Sequence, residues 1–364
     1  MQNTKKRIEY LDVSKGIAIL LVCVGHAISN QQNVRDIDLP ILLRLISQFH
    51  MPLFFVISGY LFSDKHIDTP IKATIHKIKA YYVPFVVYNL IFLLFHNLFA
   101  ALQLVNEQFN GGPYTWKQYA YRFTMVITGH RQSFGGAMWF LGSLLIISVL
   151  FIWSNYFIKK IIPEKYQQLC VCIFVLCCVL VGISGKCPTS FKLNVSLYSM
   201  LFFYLGYLYK KLRWNSFLVK YKTIVLLISV VGSIVIAYLS PVGIESKYYG
   251  NFTLFTISAV LGTLMIFMAA QYPLVEKSRV LKLLGEKSLD IMSLHFLAFK
   301  LVSLLVILVY DLPMERLAEY PVLTGIGGAW WVAYSLVGAF VPVGIRCGYD
   351  YIVKCIKNRG KQNG

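Results

Sequence analysis

Apolar side chains run through this chain in stretches of about twenty, separated by short polar segments rich in Lys and Arg. A helix that crosses the hydrocarbon core of a bilayer needs about 20 mostly apolar residues. Ten segments meet that length: 14–34, 44–63, 81–104, 138–158, 167–185, 194–210, 223–240, 252–271, 287–310 and 322–345. The pattern predicts an all-α integral membrane protein, a single bundle of about ten transmembrane helices. No fixed-period repeat and no linker interrupts it, so 1–364 reads as one transmembrane domain, with 359–364 as a short cytoplasmic tail.

Composition agrees. Apolar residues make up 57% of the chain and charged ones 14%, whereas a soluble domain carries about 25% charged residues. Too few polar side chains remain to cover a water-facing surface, which excludes a soluble enzyme, a secreted module and a disordered scaffold. The net charge of +19 invites a nucleic-acid reading, but its distribution points elsewhere. With the N-terminus inside, the inner segments hold 24 of the 35 basic residues and the outer loops nine. Such a bias is the positive-inside signature; it predicts both termini in the cytoplasm and accounts for the charge without nucleic acid. Lys5, Lys6 and Arg7 ahead of an apolar run imitate a signal peptide, but nine further spans follow, so an uncleaved first span is expected. The eight cysteines form no disulfide or zinc pattern; they read as small buried hydrophobes, and no metal site is expected.

Ionisable side chains inside spans are costly and are functional candidates by default. The first span carries Asp12, Lys15 and His26. Lys15 and His26 lie eleven residues apart, roughly 20° past three full turns and ~16 Å along the axis. Asp12 and Lys15 are neighbours at i,i+3. All three share one stripe, which is expected to line a cavity open to the cytoplasm. In the second span His50 stands near the outer end, Pro52 kinks or starts the helix, and Ser58-Gly59 permits close backbone approach. Trp139 sits at the outer interface, where an aromatic belt alone would account for it. In the ninth span Asp290 and His295 fall on different faces. His295 is placed to hydrogen-bond to the first-span stripe, and Lys300 is expected to snorkel outward. The outer segment 105–137, with Gly111-Gly112-Pro113 and then Tyr114, Trp116, Tyr119, Tyr121 and Phe123, reads either as an interfacial aromatic helix or as a lid or acceptor platform.

Four stretches, YLDVSKGIAILLVCVGHA (10–27), FHMPLFFVISGYLF (49–62), MWFLGSL (138–144) and KSLDIMSLHFLAF (287–299), resemble those of membrane acyltransferase family 3. The fucose 4-O-acetylase-like branch is the nearest, similar also to the enterobacterial common antigen O-acetyltransferase. The resemblance spans nearly the whole chain, on about fifty residues. It implies transfer of an acyl group, usually acetyl, from cytoplasmic acyl-CoA to a hydroxyl of a cell-envelope glycan or lipid-linked sugar, in a multi-pass protein of the bacterial inner membrane. Acyl-CoA is then a co-substrate rather than a bound cofactor, and the partners are acyl-CoA, the glycan and the bilayer. The family places an Arg ten residues ahead of a His; here Lys15 takes the Arg position and His26 the His. Lys is a point charge and not a planar fork, so bidentate phosphate binding is not expected of it. The resemblance implies His26 as general base (or as acyl carrier, by way of an acetyl-His26), Lys15 as holder of the donor phosphates, and Asp12 as its orienter. It assigns Ser58, His50, His295 and Trp139 to substrate binding. A proton-coupled transporter or flippase of a lipid-linked sugar is the alternative that ten spans with buried Lys, Asp and His also suit; against it, no duplicated half is visible.

Overall fold

The computed structural model describes residues 8–29, 39–184, 186, 192–240, 243–244 and 251–362. Every regular element among them is a helix: α1 (Glu9–Ile28), α2 (Leu39–Ser47), α3 (His50–Tyr60), α4 (Lys65–Asp68), α5 (Pro70–Lys77), α6 (Val83–Leu94), α7 (His96–Ala101), α8 (Trp116–Ile127), α9 (Trp139–Ile161), α10 (Glu164–Ile183), α11 (Leu193–Lys211), α12 (Trp214–Leu218), α13 (Lys222–Leu239), α14 (Phe252–Ala269), α15 (Pro273–Glu276), α16 (Arg279–Glu286), α17 (Ser288–Tyr310) and α18 (Trp330–Gln362). Nine helical stretches among the described residues are long and apolar enough to cross a membrane. The protein is an all-α, multi-pass membrane protein.

Its residues gather into two compact units. The first comprises 1–43, 98–112 and 270–364. In it α1 packs on α16, α17 and α18, and α17 lies along α18. The α1–α16 crossing is stitched by two glycines: a Cβ on Gly16 would land on the Leu281 carbonyl, and one on Gly285 would land on the Asp12 carbonyl. Lys282 adds an ion pair to Glu9 at 2.6 Å. This crossing fixes the start of α1, where Asp12 and Lys15 stand.

The second unit comprises 44–97 and 113–269. Its centre is the α3–α11 crossing, again made possible by glycine on both sides, since a Cβ on Gly59 would strike the Phe203 carbonyl and one on Gly206 the Val56 carbonyl. Phe62, Phe151, Phe203 and Tyr207 pack edge to face beside it, with ring centroids 5.2–6.0 Å apart, the offset geometry that aromatic quadrupoles favour.

Several boundaries differ from those expected, each for a local reason. The second candidate span, Pro40–Tyr60, breaks at Gln48–Phe49, and α3 restarts at His50, so Pro52 falls in a first turn where its missing N–H leaves little unmet. The third span begins at Pro70 rather than near 81 and passes through a π-helical turn at Ile78–Tyr82; Pro84, which cannot donate, stands two residues past that turn. The stretch read as the sixth span forms α11, 19 residues long, but its Asn194, four tyrosines and Lys210-Lys211 keep it out of the nine. The last span starts at Trp330 and not near 322, because Pro321 and the Gly325–Gly328 stretch hold the preceding residues in loop. Residues 359–362 of the segment read as a tail continue α18, which runs through Gln362; 363–364 lie outside the described residues. Lys5, Lys6 and Arg7 lie outside the described residues.

Candidate active site

Asp12 and Lys15 stand together as the i,i+3 spacing requires, with Lys15 Nζ donating to Asp12 Oδ1 at 2.9 Å. The Lys15 side chain keeps 24% of its surface open and Asp12 14%. An ammonium has three donors, so the bond to Asp12 leaves Lys15 able to meet an anion while its aim is held. His26 stands in the last turn of α1, about eleven rises further along the same stripe, and is partly exposed.

There it meets the second histidine singled out from the sequence. The His26 and His295 rings stack with centroids 5.4 Å apart and planes 24° from parallel. Phe296 touches both, at 4.8 Å from His26 and 4.0 Å from His295. His295 is fully buried. Its Nδ1 lies 2.9 Å from the Ile291 carbonyl and 3.0 Å from that of Met292. Carbonyls only accept, so this network assigns the ring hydrogen to Nδ1 and leaves Nε2 a lone pair. That Nε2 has no hydrogen-bond partner among the described residues, and a buried polar atom in that state calls for an explanation. His295 therefore joins the first-span stripe by a ring stack rather than by a hydrogen bond from its Nδ1. Asp290, placed on another face, lies 3.7 Å from Arg346.

Lys300 departs from expectation. It does not snorkel: it is 3% exposed and donates to the carbonyls of Leu317 at 2.8 Å and Glu319 at 2.6 Å. The chain leaving α17 folds back and brings acceptors to the ammonium, so the head group need not reach water. The same turn is tied by the Glu319 carboxylate, which accepts from Arg316 Nε at 2.6 Å, from the Thr324 N–H at 2.6 Å and from the Thr324 hydroxyl at 2.7 Å. Burial works against the Glu319 charge, yet these donors outweigh it and hold the carboxyl below its ordinary range. Between Glu319 and Pro321 stands Tyr320, its ring 4.7 Å from that of Phe296. Sequence reasoning missed this turn because 322 onward was taken for a membrane span. The signal was present in Pro321 and in the glycines that follow.

His50, Ser58 and Trp139 stand in the second unit. His50 opens α3, its Nδ1 2.7 Å from the Ile46 carbonyl. Ser58 donates to the Phe54 carbonyl one turn back, at 2.8 Å. Trp139 is buried at the start of α9, with the Lys192 ammonium 4.8 Å over its ring. The aromatic segment does form a helix, α8, begun by a capping box in which Thr115 and Gln118 satisfy each other's termini. Its Trp116 is 89% exposed. Tyr119, Ala120 and Phe123 of α8 share a groove of about 1040 Å³ with Leu90, Leu93 and Leu94 of α6. Among the described residues no three His, Cys, Asp or Glu side chains are grouped to hold a metal ion.

Comparison with known proteins returns one family model, described as an acyltransferase domain, which matches residues 8–345. No curated protein and no solved structure matches the chain. The match takes in Asp12, Lys15, His26 and His295 and reaches into both compact units. Matched over nearly its whole length, the chain belongs to this family of membrane acyltransferases.

Proposed function

We propose that the protein is an O-acyltransferase, acetyl being the donor group of first choice, that carries an acyl group from cytoplasmic acyl-CoA to a hydroxyl of a cell-envelope glycan or lipid-linked sugar. It works in the bacterial inner membrane, with both termini in the cytoplasm. The observation that carries the reading is the His26–His295 stack at the far end of the Asp12–Lys15 stripe. An imidazole partly open to a substrate is what proton removal from an attacking hydroxyl requires.

In this reading the acceptor oxygen attacks the thioester carbonyl while His26 takes its proton. The tetrahedral intermediate collapses with cleavage of the C–S bond. The CoA thiolate leaves and takes the proton back from the imidazolium, giving the O-ester and free CoA thiol. Lys15, held by Asp12, meets the donor phosphates, and the ~16 Å to His26 is a length for the extended pantetheine arm to cover. The His295 Nε2 lone pair is a fixed acceptor beside the base, for a second hydroxyl of the acceptor rather than the one that attacks. Membership of an acyltransferase family favours this reading over a proton-coupled carrier.

The test is labelling of envelope glycan in membranes supplied with acyl-labelled acetyl-CoA. Alkali-labile label on glycan is expected from the wild type and is lost in His26→Ala at equal protein level. Equal labelling by His26→Ala would overturn the assignment of the base. Movement of a lipid-linked sugar without any acyl transfer would overturn the reaction class. A covalent acetyl-His26, if trapped, would replace direct attack by two steps.

A further inference from the structure

We infer that Tyr320 is a platform for a sugar ring of the acceptor, and that Lys300 is the positioning residue that holds it beside His26. The inference rests on the acyltransferase reading above and narrows its acceptor to one recognised by a pyranose face.

The argument begins with what the turn after α17 is built to do. Burying an ammonium is costly unless its donors are met. Lys300 meets them with two backbone carbonyls of one short turn, those of Leu317 and Glu319. The Glu319 carboxylate closes the other side of the turn through Arg316 and Thr324, and Arg316 also donates to the Thr324 carbonyl at 2.7 Å. Both faces of residue 319 are thus fixed, and the next residue is Tyr320. Leu317, Ala318, Glu319, Val322 and Leu323 are buried around it, yet Tyr320 keeps part of its surface open.

The ring's address gives it a use. The Phe296 ring lies 4.7 Å from that of Tyr320 and 4.8 Å from that of His26. The two part-exposed rings are therefore separated by no more than the sum of those distances, and buried Phe296 touches both. A base and an aromatic face within that distance suit a pyranose, whose C–H face lies on an aromatic ring while its hydroxyls point sideways. A sugar uses both the aromatic face and the base, an acyl chain only the face.

The experiment uses the full chain in nanodiscs, with methyl pyranosides as probes. Their binding is read by saturation-transfer NMR, and acetyl transfer to them is compared with transfer to a ring-less alcohol of similar size. Tyr320→Leu is expected to weaken pyranoside binding and raise the pyranoside KM together, roughly two- to tenfold, while leaving the acyl-CoA KM and the alcohol KM in place. Tyr320→Trp should retain binding. Lys300→Met should reproduce the Tyr320→Leu pattern, the double variant should be no worse than the poorer single one, and Lys300→Arg should recover part of the loss. Pyranoside binding indifferent to Tyr320→Leu, or an equal loss for pyranoside and alcohol, would overturn the inference. The two readings fail separately. If binding depends on Tyr320 but no acyl group moves, the platform stands and the acyltransfer reading falls. If His26→Ala abolishes transfer while pyranosides bind the Tyr320→Leu variant as before, the platform alone falls.

Discussion

His50 and His295 make the same bond, ring Nδ1 to the carbonyl four residues back, at 2.7 and 2.9 Å. Their surroundings separate them. His50 opens a helix after a break in its span and keeps part of its surface open. His295 sits in mid-helix, fully buried, stacked on a second imidazole, with its other nitrogen unmet among the described residues. The same contrast recurs within each unit. In the second, Ser58 and Asn155 turn back onto their own helices, whereas Tyr207 reaches Asp64 and Ser196 reaches Ser143. In the first, Ser293 turns back onto Leu289, whereas Lys300 crosses to the Leu317–Glu319 turn and Lys15 holds Asp12 with donors to spare. Chemistry is available where hydrogen-bonding capacity remains after the helix has been satisfied.

The contrast can be broken most severely at the two glycine crossings. Gly59→Leu and Gly16→Leu each drive a side chain into a facing carbonyl, and both should abolish folded protein recovered in detergent by size-exclusion chromatography. The Ala variants, an overpacking of about 1–3 kcal/mol, should lower the midpoint of thermal unfolding and leave a folded fraction to measure. If Gly59→Ala and Gly16→Ala are as stable as the wild type, neither crossing is as close as described.

Lys15→Ala removes a charged hydrogen bond to an anion, worth about 1.5–3 kcal/mol, and should raise the acyl-CoA KM by roughly ten- to a hundredfold with little change in kcat. Lys15→Arg should keep most of the affinity. His295→Phe retains a ring to stack on His26 and deletes the Nε2 acceptor together with the Nδ1–H bond to the carbonyls of Ile291 and Met292. Loss of a neutral acceptor bond of about 0.5–1.5 kcal/mol predicts a kcat lower by roughly two- to tenfold, beyond what any loss of folded protein accounts for. An equal effect from His50→Phe would erase the distinction between the two histidines.

The smallest effect concerns the turn that carries Tyr320. Because the Glu319 carboxyl is held below its ordinary range, its stabilising share is fully present above the unfolded value of about 4.3. That share disappears as pH falls through the lower folded value. Protease sensitivity of residues 312–329 should therefore be flat from neutral pH down to about 5 and rise only below the ordinary carboxylate range. Glu319→Gln should be sensitive at neutral pH already. A rise that begins near neutrality in the wild type would place the titrating group elsewhere.

Much of this arrangement was legible in the sequence. The stripe of Asp12, Lys15 and His26 followed from helical spacing alone, since a single unbroken helix carries all three. Glycine beside Ser58 announced a close crossing, and the α3–α11 contact is one. What escaped was set by the chain beyond the helix in question. No periodicity reveals that Lys300 finds its acceptors in a turn some twenty residues later, so the solvent-seeking reading was the natural one and it was wrong. The loop at 320–329 was hidden by apolar Val322 and Leu323, which are buried under the turn and not in a span. α11 was read as a span from its length, although its tyrosines and asparagine leave it less apolar than the nine.

The measurement closest to the central claim is steady-state acyl transfer by His26→Ala, with acyl-CoA and acceptor varied independently and compared with Lys15→Ala. A general base contributes about 10²–10⁴-fold. His26→Ala should therefore lose kcat by that order while its acyl-CoA KM holds, the reverse of the Lys15→Ala pattern. A His26→Ala protein with wild-type kcat, or one altered only in acyl-CoA KM, would contradict the account.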